Sequence, residues 1–385
     1  MGGKKHPLLE SPSLIMTRRD FLTRSMLSGI VLDQALVRAA KARAQSIHSN
    51  TKLFDIEKVA EDVYAATAKP VTLLNCNAAI FVNANDILVV DAHSKPSAAA
   101  AMVAQLRREV STKPVRYIVN THFHWDHTQG MPHYRSAAPG ADVVASSATR
   151  RLIETQALDR LKASMQTTQA DLENLKRQSP KTDAERTYQK MAIADMESYL
   201  REMQGYQPDL PNITFDDGLL IRDKNHEILV AFRGRGHTDG DVVVFSPQKK
   251  VIATGDQLHG FVPWLDDGYP LEWPTTLRKY GELEFQTVVG GHGPVQKTRD
   301  RLSQTAAYIE EITDAVRRGK QAGKDVAELE RAITRASLRS LTGSDYCKYI
   351  EYSLSRFWPL KPGETAADQL AVQVKGNVQV LFKKV

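Results

Sequence analysis

Residues 115–134, VRYIVNTHFHWDHTQGMPHY, place three histidines and an aspartate within six positions: His122, His124, Asp126 and His127. The chain has 11 histidines in 385 residues, so three this close together call for a chemical reason. The run ahead of them, VRYIVN, is short and nearly continuous in apolar character, the mark of a strand. Side chains two apart on an extended chain point to one side, so His122, His124 and Asp126 are expected to converge on one cavity. His127, next to Asp126, is expected to point elsewhere and to suit a second centre. Imidazoles with a carboxylate bind zinc and similar divalent ions at about 2.0–2.2 Å. A polar cluster of this density is costly to bury unless something compensates it.

Further ligand types stand where other strands stop. RGRGHTDGDVVV carries His237 behind Gly234 and Gly236, VIATGDQLHG ends an apolar run at Asp256, and TVVGGHGPV carries His292 in a glycine-flanked turn. The glycines permit tight turns there. The order HxHxDH, GHT, an aspartate after a strand, then GHG resembles the metallo-β-lactamase superfamily, over roughly residues 55–295. The resemblance implies an α/β fold, a four-layered αβ/βα sandwich, with a two-metal site at one edge of the packed sheets. It implies that His122, His124 and His237 hold one ion, that Asp126, His127 and His292 hold the other, and that Asp256 bridges them. Two divalent ions, zinc first with iron or manganese as alternatives, would share a water whose hydroxide form attacks the substrate, with Asp126 orienting it.

Asp256 narrows the chemistry. β-Lactamases of the family usually carry cysteine or serine near that position, whereas its thioesterase, lactonase-like and sulfatase-like members carry the aspartate. A dinuclear hydrolase acting on an ester, thioester, lactone or sulfate ester of a small molecule is therefore expected. A β-lactamase of the all-histidine subclass and an iron-dependent dioxygenase of the same fold are the alternatives. The aromatic loop after Asp256, with His259, Phe261, Trp264, Tyr269 and Trp273, is a candidate substrate wall, with plain packing as the equal alternative. Asp91, after ILVVDA, is expected to support the site rather than to bind metal. Thr121 and Thr238 flank ligands and are candidates to hydrogen-bond them or to cap turns. Phe123 and Trp125 are expected to pack the loop.

The rest of the chain supplies the frame. Residues 78–82 and 87–90 read as a hairpin, and 96–110 as a helix opening at Pro96. Residues 148–204 carry Leu158, Leu161, Met165, Leu172 and Leu175 at helical spacing, broken at Ser179-Pro180 and resumed to Tyr199. This is an inserted helical hairpin, within a catalytic domain over 45–298. Residues 299–357 read as helices, and LAVQV-KGN-VQVLF as a terminal β-hairpin turning at Gly376-Asn377. Cys76 and Cys347 are too few for a disulfide framework or a zinc-thiolate site and read as packing residues.

The formal charge of +6 does not point to nucleic acid. Eight of the 51 basic and three of the 45 acidic residues fall in 1–44, which leaves 43 against 42 for the rest. That leader pairs Arg18-Arg19 with Asp20-Phe21-Leu22 and ends in Ala42-Arg43-Ala44, resembling a twin-arginine signal read by the export machinery. A periplasmic or secreted protein is expected. No run approaches the roughly 18 apolar residues of a membrane span, and the sequence assigns no oligomeric state.

Overall fold

The computed structural model describes residues 52–71 and 73–385; the leader lies outside them. Seven strands form the first sheet in sequence order: β1 (Phe54–Ala60), β2 (Val63–Ala68), β3 (Ala78–Val82), β4 (Ile87–Val90), β5 (Val115–Val119), β6 (Asp142–Ser146) and β7 (Ile213–Phe215). The first four pair antiparallel and the last three joins are parallel. The expected hairpin is the β3–β4 pair. A second sheet runs β12-β11-β10-β9-β8, from β8 (Gly218–Arg222), β9 (Glu227–Phe232), β10 (Val242–Ser246), β11 (Val251–Gly255) and β12 (Thr287–Gly290).

Both faces of the central strands are buried, which is why those strands read as unbroken apolar runs. The period-two alternation survives inside those runs. In β4, Ile87 and Val89 face the helix α1 (Pro96–Glu109) with Met102 and Leu106, while Leu88 and Val90 face the other sheet. In β10, Val242 and Val244 meet Val90 and Val119 between the sheets. Val243 and Phe245 instead join Ile309, Ile312 and Ile350 of the C-terminal helices. Each such residue, fully buried, contributes about 1.5–3 kcal/mol. The result is four layers, α/β/β/α, as the sequence led one to expect.

Two short helices, α2 (Trp125–Thr128) and α3 (Met131–Ala137), follow β5, and His133 lies in α3. The inserted hairpin is α4 (Ser147–Arg177) and α5 (Asp183–Met203), broken near Pro180 as read from sequence. It is bolted to the body. Lys95 Nζ sits 2.6 Å from Asp195 Oδ1, and Leu73 N–H donates to Asp195 Oδ2 at 2.9 Å. Glu202 accepts from Ser97 N–H at 2.8 Å and from its hydroxyl at 2.7 Å, so a carboxylate from the hairpin caps the positive end of α1. With these ties the hairpin is a fixed wall rather than a free flap.

The C-terminal helices are α6 (Trp273–Tyr280), α7 (Asp300–Gln321), α8 (Val326–Ala332), α9 (Asp345–Phe357) and α10 (Ala366–Lys384). The last corrects the expected terminal β-hairpin. Thr365 and Asp368 form a reciprocal capping box, and Leu370, Val374, Val378 and Leu381 are buried at helical spacing. Val372, which period-two alternation would bury with Val374, is 61% exposed. Asn377 is not a turn residue: its buried amide donates to Pro263 O at 2.8 Å and to Tyr308 Oη at 3.0 Å. Among the described residues no helix is long and apolar enough to cross a membrane.

Candidate metal centre

The site lies where β4, β5, β11 and β12 and the β9–β10 connection end. β5 stops at Val119, so the cluster is carried by a loop and the single helical turn α2, not by strand alternation. This corrects the expected orientation of His127. The helical turn brings its ring to 4.2 Å from that of His122, facing the same cavity.

All seven expected side chains come together. His122, His124 and His237 form one group, Asp126, His127 and His292 a second, and Asp256 joins His122 and His127 in a third. His237 Nε2 is 2.9 Å from His124 Nδ1. His292 Nε2 lies 3.1 Å from Asp126 Oδ2, 3.4 Å from His127 Nε2 and 3.3 Å from Asp256 Oδ2. Asp256 also reaches the other group, with Oδ2 3.7 Å from His237 Nε2. Two ligands at 2.0–2.1 Å from one tetrahedral ion stand about 3.3–3.4 Å apart, so most of these spacings suit shared cations.

The outer nitrogens of three imidazoles are committed. Thr121 Oγ1 donates to Asp91 at 2.9 Å, so it accepts from His122 Nδ1–H at 3.0 Å. His127 Nδ1–H donates to Asp91 Oδ2 at 2.7 Å, and His124 Nε2–H to Asp267 Oδ2 at 2.8 Å. Each donation leaves the opposite nitrogen with an inward lone pair. Among the described residues, buried His122 Nε2, His237 Nδ1 and Asp256 Oδ1 have no hydrogen-bond partner. That combination of inward lone pairs and orphaned buried acceptors fits a cation, because a cation satisfies them without a proton.

The electrostatics agree. Burial, then the neighbouring imidazoles, hold His122 and His237 well below the usual histidine value. Burial also pushes on His292, but Asp256 and Asp126 outweigh it and raise the ring to about 9. His127 is raised well above its usual value against burial by Cys76 and the carboxylates of Asp126, Asp91 and Asp256. Asp126 and Asp256 resist burial and stay below the usual carboxylate value because His127 and His292 face them. With protein groups alone, the pocket calls positive charge onto its own ligands.

The supporting residues divide. Asp91 does what the sequence suggested, holding His127 and the Thr121 N–H (2.8 Å) from a left-handed backbone, φ 67°. Thr121 supports a ligand, whereas Thr238 gives its hydroxyl and N–H to buried Asp241 and caps its turn. Burial raises Asp241 to about 7. Cys76 is closer to the centre than expected, grouped with Asp91 and His127, but burial pushes its thiol up to about 12. Of the aromatic loop, Phe261 lies nearly parallel to His292 at 5.9 Å, and His259 is 5.9 Å from the same ring. Trp264 is 49% exposed, and Tyr269 lies under Arg235 at 4.3 Å; neither ring stacks on a site imidazole among the described residues. The ring on His237 is Trp273 instead, at 5.6 Å. Trp125 packs against Tyr199 of the hairpin, as a loop-packing residue should.

Sequence reasoning missed Asp267 and Arg160, whose isolated positions carry no motif. It also missed a small cleft of about 50 Å³, partly open to solvent, between the ligand loop (Phe123, His124, Trp125) and α4 (Ile153, Ala157, Leu161).

The sequence profile of the metallo-beta-lactamase superfamily matches residues 71–292, more than half of the chain. Among solved structures, a metallo-beta-lactamase from Pontibacter korlensis is similar at 18% identity with a TM-score of 0.49, over 67% of this chain and 99% of that one.

Proposed function

The chain belongs to the metallo-β-lactamase superfamily, and on that premise we propose that it hydrolyses an ester, thioester, lactone or sulfate ester of a small molecule with two divalent ions, zinc first among them. The observation that carries this reading is the convergence of His122, His124, Asp126, His127, His237, Asp256 and His292, with buried His122 Nε2 and Asp256 Oδ1 lacking a hydrogen-bond partner among the described residues. The first three imidazoles, His122, His124 and His237, would hold one ion, and Asp126, His127 and His292 the other. Asp256 supports two ions rather than one, because its carboxylate stands within 3.7 Å of both groups. Bound divalent cations would supply Lewis acidity and bring the pKa of water at the site toward neutrality.

The chain's own groups do the rest. Asp91, Thr121 and Asp267 hold the outer protons of His127, His122 and His124, so that no N–H points at the reacting centre from those rings. The Asp126 carboxylate, held ionised by His127 and His292, would orient the attacking water and accept its proton. The cleft beside His124, with Phe123, Trp125, Ile153 and Leu161 on its walls, would take the apolar part of the substrate. The twin-arginine-like leader supports placing this chemistry outside the cytoplasm.

The test is a purified, metal-quantified sample offered ester, thioester, lactone, lactam and sulfate-ester substrates. Turnover should depend on divalent metal and vanish in Asp126→Ala. Turnover that survives chelation or that substitution overturns the proposal.

A further inference from the structure

Asp267 is gripped from three directions. Arg160 of the inserted helix α4 meets it with both arms of its guanidinium, Nη1 2.9 Å from Oδ2 and Nη2 2.5 Å from Oδ1. The same Oδ2 accepts His124 Nε2–H at 2.8 Å. The loop that carries Asp267 is tied from the opposite side by α10, where Lys384 Nζ donates to Leu265 O and Gly268 O, each at 2.7 Å. The guanidinium is itself fixed: its Nε–H donates to Gln156 Oε1 at 3.1 Å, and it lies over the Phe123 ring at 4.8 Å. Phe123 in turn packs on His124, ring centres 4.7 Å apart.

An exposed ion pair of this kind adds little to stability, since Arg160 is 46% exposed and water screens it. Its effect is geometric. A lone carboxylate on a loop rotates freely, but a planar fork bonded to both oxygens leaves it one orientation. That orientation fixes the plane and tautomer of His124 and bares Nδ1 toward His237 Nε2, 2.9 Å away. We propose that Arg160 is a positioning residue of the metal centre, acting from the inserted hairpin through Asp267 on His124. The hairpin is then part of the site and not only its wall. This inference rests on the reading that His124 binds metal.

The test uses the full chain stripped of metal and Zn²⁺ alone as the probe, titrated in competition with a chromophoric chelator. Losing the hydrogen-bond partner of a ligand imidazole typically weakens metal binding about 10–100-fold, the loss expected for Asp267→Ala. Arg160→Ala, one step further out, should lose about 3–10-fold. Arg160→Lys, which keeps the charge without the fork, should recover only part of it. The double variant should bind little worse than Asp267→Ala alone, because Arg160 acts chiefly through Asp267 and only weakly through Phe123. Lys176→Ala, which removes an exposed ion pair with Glu197 in the same hairpin, should bind as the parent does. Parent-like binding by Arg160→Ala, or full additivity in the double variant, overturns the inference alone. Should the parent fail to bind Zn²⁺, the proposed function falls with it. Circular dichroism of every variant separates loss of fold from loss of affinity, and Arg160→Lys carries the test if the alanine variant does not fold.

Discussion

Replacing Asp91 with asparagine asks the metal centre a pointed question. The change keeps shape and volume, and asparagine tolerates the left-handed backbone found there, φ 67°. What it removes is the ability of both carboxylate oxygens to accept. In the native protein Oδ1 takes the Thr121 N–H at 2.8 Å and Oδ2 takes His127 Nδ1–H at 2.7 Å. An amide has one acceptor. If its oxygen stays on Thr121, its NH₂ faces His127 Nδ1 and drives the imidazole to the other tautomer. The proton then sits on Nε2, the atom 3.4 Å from His292 Nε2 and 3.5 Å from Asp126 Oδ2, and closes the inward lone pair. If the oxygen turns to His127, the buried Thr121 N–H is orphaned at a cost of about 1–3 kcal/mol. The first outcome should weaken zinc binding about 10–100-fold, equivalent to about 1.4–2.8 kcal/mol. The second should appear instead as lower stability. Chelator competition for affinity and urea unfolding of the metal-free protein read the two quantities separately. A variant with parent affinity and parent stability would refute the account of how His127 is held.

Two other outcomes follow from the geometry and one from the leader sequence. In the metal-free protein His292 titrates at about 9, above its unfolded value, so the stability it confers is complete below about pH 6.5 and drains away as pH rises toward 9. That slope, at most about 1.4 kcal/mol per pH unit for one proton, should appear as a falling melting temperature from pH 7 to 9. A flat or rising curve contradicts it, and zinc-loaded protein should lose the trend because metal replaces the proton. Gly291→Ala would set a Cβ 2.0 Å from Asp256 Oδ1 and 2.8 Å from His127 Cε1; metal stoichiometry should fall, and full loading in elemental analysis would contradict the packing. Arg18-Arg19→Lys-Lys should leave the precursor unprocessed in a cell-fractionation experiment, and normal export would end the twin-arginine reading.

How much of this was legible beforehand depended on range. β4 and β5 and the hairpin break near Pro180 rest on patterns within a few residues, and they read correctly. The terminal segment failed because two local signals competed. Gly376-Asn377 suggested a turn, while Thr365 and Asp368 signalled a helix start, and burial of Leu370, Val374, Val378 and Leu381 on the C-terminal helices decided for the helix. Asp267 and Arg160 were invisible because neither belongs to a pattern. They are 107 residues apart, and His124 lies 143 residues before Asp267.

The amino-acid order alone determined which chemistry was on offer: imidazoles and carboxylates at strand ends, glycines to turn them, and apolar runs to bury the strands beneath. It also carried the family pattern. Only the tertiary structure decided which lone pairs face inward, since that depends on what each outer nitrogen meets across the fold. Residue type sets the ability to bind a cation; the partner of the outer nitrogen, 36 residues away for His127 and 143 for His124, sets its direction.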